Sequence, residues 1–89
     1  MKEISVIAGE VESLFARLGG MANTFIEVRD NGHEVILGGN QSGLVLLAME
    51  LLQLACQTTK GSHLHVDDSS FADIAERPLV LRLSAPDWS

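Results

Sequence analysis

The sequence predicts an α+β fold, and three observations predict it. An alternating apolar segment is broken by Asn31-Gly32, an apolar helical segment follows at about 40–57, and two further alternating segments stand at 63–67 and 79–83. Eighty-nine residues are enough for one core and too few for two. We therefore expect a single domain over 1–84 with a short tail at 85–89. Its antiparallel or mixed sheet of about four or five strands would pack on the one long helix.

The first twenty residues carry two patterns at once. Ile4, Ile7, Val11, Leu14, Phe15 and Leu18 recur at helical spacing, but Val6 falls off that stripe and Gly9 weakens it. The reading adopted is a strand at about 3–7 and a shorter helix at about 10–18, closed by Gly19-Gly20. Strands at about 24–29 and 34–38 then form a hairpin. With Asn31-Gly32 as a two-residue loop, Arg29 faces Glu34, Val28 faces Val35 and Ile26 faces Leu37.

Gly38-Gly39 ends the hairpin, and Asn40 can cap the long helix. On a wheel, Leu44, Leu47, Ala48, Leu51 and Leu54 share a face expected to be fully buried, while Ser42, Glu50, Gln53 and Gln57 share a polar one. Val45, Met49, Leu52 and Cys56 widen the apolar arc to roughly 220°. Leu46 sits alone within the polar face. His63-Leu64-His65-Val66-Asp67 alternates as a strand, Ser70 and Asp73 are spaced like a capping box for a short helical turn, and Leu79 to Leu83 forms the last strand after Pro78.

The composition is 46% hydrophobic and 20% charged, that of a folding chain and not a disordered one. Twelve acidic against six basic residues give a net charge of −6, which disfavours nucleic acid and anionic membrane surfaces as partners and favours a basic protein. The longest apolar run, Gly43 to Cys56, is too short for a membrane span. One cysteine allows no internal disulfide, and the first residues lack a signal-peptide pattern, so the expected compartment is the cytoplasm.

Candidate chemistry is sparse. His63, His65 and Asp67 on one strand face have the spacing that could present two imidazoles and a carboxylate to a divalent metal. A solvated strand face accounts for the same residues, so no metal and no cofactor are assigned. Gly38 to Gly43 joins a strand to a helix N-terminus, but Leu44-Val45 stands where a phosphate loop carries Lys and Ser or Thr. The serines lack a nucleophile-elbow context and Cys56 is explained by packing, so no catalytic set is assigned and the chain is read as no enzyme. Asp67, Asp68, Asp73 and Glu76 give a local charge of −4, a candidate docking patch for a basic partner. Together with His63, His65 and the isolated Leu46, they are the candidate partner-binding residues.

The order Gly39-Asn40, Gly43-Leu44, Leu47-Ala48, Leu51-Leu52, then His63-x-His65-x-Asp67 and the apolar Leu79-Val80-Leu81, resembles small bacterial immunity proteins of polymorphic or contact-delivered toxin systems. The likeness covers roughly residues 35 to 83. It implies a non-catalytic protein that neutralises one cognate toxin by direct binding. A homo-oligomeric accessory domain, a homodimer at its simplest, is the alternative, and a metal-binding protein using His63, His65 and Asp67 the third reading.

Overall fold

The computed structural model describes residues 2–59, 61–70 and 72–86, so the expected tail lies mostly outside the described residues. In chain order it runs α1 (Lys2–Arg17), a 3-10 turn (Gly20–Asn23), β1 (Ile26–Asp30), β2 (Val35–Gly39), α2 (Gln41–Ala55), β3 (His63–Val66), β4 (Ile74–Ala75) and β5 (Leu79–Arg82). The fold class is α+β as expected, but the strands divide into two sheets. One has the order β2-β1-β4, the other is the pair β3-β5.

The start of the chain corrects the sequence reading. No strand forms at 3–7; α1 runs through Gly9 without a break. The stripe that packs is Ile4, Ala8, Val11, Phe15 and Leu18, with Ala8 and Phe15 buried, and Val6 and Ile7 are exposed. One glycine costs a helix about 1 kcal/mol. Five stripe positions laid along α2 outweigh that. Ser5 Oγ lies 3.8 Å from Cys56 Sγ, so the start of α1 meets the end of α2 and the helices run antiparallel.

The hairpin forms in a different register. Val28 faces Leu37 and Ile26 faces Gly39, with Asn31–Glu34 as a four-residue loop. A two-residue type I′ loop needs positive φ at both central residues, and only Gly32 has it. Asn31 instead accepts the backbone N–H groups of His33 and Glu34 on its side-chain oxygen, both at 2.9 Å, and Asp30 accepts that of Gly32. The slip of two residues keeps every side chain on its face, so Ile26 and Val28 remain fully buried.

The expected helical turn near 70–76 is absent among the described residues. Ser70 Oγ donates within its own turn, to the carbonyls of His65 and Asp67. Beyond it β4 pairs parallel to β1, Glu27 facing Ile74. Two carboxylates stitch this short strand in place: Asp73 Oδ2 accepts from the Ile26 N–H at 2.9 Å and Glu76 Oε1 from the Asp30 N–H at 2.9 Å.

The long helix begins where Asn40 predicts it. The Asn40 side-chain oxygen accepts from the N–H groups of Gly43 and Phe25, at 2.7 and 3.0 Å, and its amide donates to the Asn23 carbonyl. Gly43 packs on β1 so closely that a Cβ there would collide with the Phe25 carbonyl oxygen. This contact sets the helix's inner side. Leu46 and Leu47 enter the core beside Ile26, Val28, Val66 and Phe15, whereas Leu44, Ala48 and Leu51, expected to be buried, face outward.

Candidate functional site

An open groove of about 420 Å³ lies between the C-terminal half of α2 and the start of β3. Its lining combines Leu54 and Leu64 with Glu50, Gln53, Gln57, Ser62 and His63. The inner side of α2 changes character along its length. At Ser42, Gly43, Leu46 and Leu47 it is buried; from Glu50 onward it opens into the groove. The polar face of the wheel therefore divides: Ser42 is buried, and Glu50, Gln53 and Gln57 line the cleft. Gly43 was the signal for this, since a glycine inside a helix marks a close approach.

Leu46 follows from the same geometry. At 3% exposure it is a core residue and offers nothing to a partner. His63 and His65 remain exposed on β3, their rings meeting edge to face with centroids 4.9 Å apart. His63 Nδ1 lies 3.2 Å from the Gly61 carbonyl oxygen. When Nδ1 carries the proton it donates there, and Nε2 is left as an acceptor. Among the described residues, no three His, Cys, Asp or Glu side chains gather closely enough to hold a metal ion.

The acidic residues separate by role. Asp67 Oδ1 accepts from the Ser69 N–H within its turn, and Asp73 and Glu76 hold β4 to β1. Asp68 is exposed in the turn between them. Glu76 also meets Arg29, whose guanidinium sits 2.7 Å from Glu27 and 3.6 Å from Glu76, so two carboxylates raise its pKa, Glu27 foremost. The Arg29–Glu34 pair expected across the hairpin is replaced by this cluster. At the far end of the hairpin the Gly32 N–H, and behind it Arg77 at 2.7 Å, hold the Asp30 carboxyl below its ordinary value.

Comparison of the chain with models of known protein families, with characterised proteins and with solved structures gives no match. Among the described residues, no helix is long and apolar enough to cross a membrane.

Proposed function

We propose that this chain is a non-catalytic binding protein that docks a basic protein partner, in the manner of an immunity protein that neutralises a cognate toxin. The groove between α2 and β3 carries the reading. Leu54 and Leu64 suit the aliphatic stem of a lysine or arginine, and among the described residues of the lining Glu50 is the one formally charged side chain at pH 7. Gln53, Gln57, Ser62 and His63 supply donors and acceptors around it. An open cleft of this kind accepts a protruding side chain from a protein surface. The net charge of −6, to which the exposed Asp68, Asp73 and Glu76 contribute, would speed encounter with a basic partner, and the exposed His65 stands two residues along β3 from His63 in the lining.

The test is co-expression with the product of the adjacent gene, followed by pull-down and by survival of cells carrying that product. Glu50→Lys should abolish capture and protection while leaving the far-ultraviolet circular dichroism unchanged. Retention of both by Glu50→Lys, or failure of the neighbouring product to bind the wild-type chain, removes the reading.

A further inference from the structure

Ile26, Val28 and Val66 are the largest fully buried side chains, and the Cα radius of gyration is 13.9 Å, where a compact chain of this length has about 12 Å. Exposed large apolar side chains occur on the strands and turns, at Met21, Phe25, Val35, Ile36 and Val80, and on the helices, where they form a pattern. Leu44 and Leu51 are 49% and 44% exposed, and Ala48 and Ala55 are exposed between and beyond them. The four lie on one stripe of α2, at spacings of four, three and four residues, and none is charged. On α1, Ile7 is 49% and Leu14 39% exposed. Because α1 and α2 are antiparallel right-handed helices in contact, the flank of α1 that bears Ile7 and Leu14 opens on the same outer side as the α2 stripe.

We infer that this outer side of the helix pair is an interface with a second copy of the chain, formed about a twofold axis that crosses α2 between Met49 and Glu50. The pattern is self-complementary about that point. Leu44 and Ala55 lie equally far from it on either side, as do Ala48 and Leu51. In an antiparallel pair each leucine therefore meets an alanine of the second copy, and a small residue opposite each large one lets the helices approach closely. The α1 pattern shares the axis. Ser5 beside Cys56 places the middle of α2 level with residues 11–12 of α1, within about one residue of the midpoint between Ile7 and Leu14. Ile7 then faces Leu14 of the second copy, and on the rim Glu3 faces its Arg17, an attractive pair.

The area suits a dimer. The six apolar side chains expose about 400 Å² per copy, against roughly 500 Å² of apolar surface per partner in a standard interface. The groove lies on the opposite flank of α2 and stays open in the dimer.

Sedimentation equilibrium of the full chain from about 1 μM to 1 mM should show a monomer–dimer equilibrium with a micromolar dissociation constant. Leu51→Glu should weaken it ~100-fold or more, since the charge is buried on both sides of the axis. Registration is read separately by cross-linking in a Cys56→Ser background. Leu44→Cys with Ala55→Cys should oxidise to a covalent dimer, whereas Leu44→Cys alone, ~16 Å from its own copy, should not. A monomer throughout the concentration range, a dimer indifferent to Leu51→Glu, or equal cross-linking by the single and double cysteine variants overturns the inference. Should Leu51→Glu fail to fold, the cross-linking result decides alone.

Discussion

Replacing each helix's internal glycine by alanine should move stability in opposite directions. Gly9 lies in α1 and an added Cβ would meet nothing within 4 Å, so Gly9→Ala gains the intrinsic helix preference of alanine, about 1 kcal/mol. Gly43 lies in α2, where the same methyl would stand on the Phe25 carbonyl oxygen and 3.0 Å from the Ile26 side chain. That carbonyl cannot turn away, because it accepts the Asn40 N–H at 3.0 Å at the start of the same helix. Relief requires α2 to lift from β1, which loosens Leu46 and Leu47 against Ile26 and Val28. Overpacking of this kind costs about 3 kcal/mol at the upper end of the usual range, leaving a net loss near 2 kcal/mol after the helix preference is subtracted. For a domain of this size, melting temperatures should rise by about 4–8 °C for Gly9→Ala and fall by about 8–16 °C for Gly43→Ala. Urea unfolding followed by circular dichroism should give the same signs with unchanged slopes. A neutral or stabilising Gly43→Ala would refute the close approach, and with it the assignment of the inner face of α2.

Three further outcomes follow from named contacts. Leu46→Ala should cost about 2–4 kcal/mol and Leu44→Ala under about 1 kcal/mol in dilute solution, reversing the order a helical wheel suggests; denaturant titration below the dimerisation range reads both. Asn40→Ala should lower stability by about 1–2 kcal/mol, because it removes a helix cap and the side-chain acceptor of the Phe25 N–H, while Asn40→Asp, which keeps both acceptor bonds, should lose less. The depressed Asp30 carboxyl contributes stability above its unfolded value of 3.8, and that contribution disappears as pH falls through its folded value. Melting temperature measured from pH 7 downward should therefore drop below about pH 4, less steeply in Asp30→Asn than in the wild type, and an identical acid limb in both would count against the Asp30 contacts.

Much of the fold was legible in local signals, and the failures share one cause. Strands at 24–29, 34–38, 63–67 and 79–83 and the helix capped by Asn40 all appear within a residue or two, because each depends on its own side chains and caps. The hairpin register was misread because Asn31 had two turn chemistries open to it and took the one that satisfies backbone donors with its side chain. The start of α1 was misread because its partner, the Met49 and Cys56 side of α2, is far away in sequence. The candidate site was legible only in part. The sequence marks His63 as a candidate partner-binding residue on a strand, but its neighbours Glu50, Gln53 and Gln57 read only as the polar face of a helix. Nothing local distinguishes a residue that solvates a cleft from one that solvates the outside.

That distinction changes what the acidic residues can be asked to do. Asp73 and Glu76 are hydrogen-bonded to the backbone of β1, so reversing their charge removes strand β4 from its neighbour as well as altering the surface potential. Loss of partner binding in an Asp73 or Glu76 variant would be equally consistent with local unfolding. Glu50 makes the cleaner probe: it lines the groove itself, on a helix whose cap and core contacts are elsewhere. Since the groove and the Leu44–Leu51 stripe occupy opposite flanks of α2, substitutions on one should leave the other intact. A variant that loses partner binding through Glu50 yet still sediments as a dimer, beside a Leu51→Glu monomer that still binds, would establish two independent surfaces on a single helix.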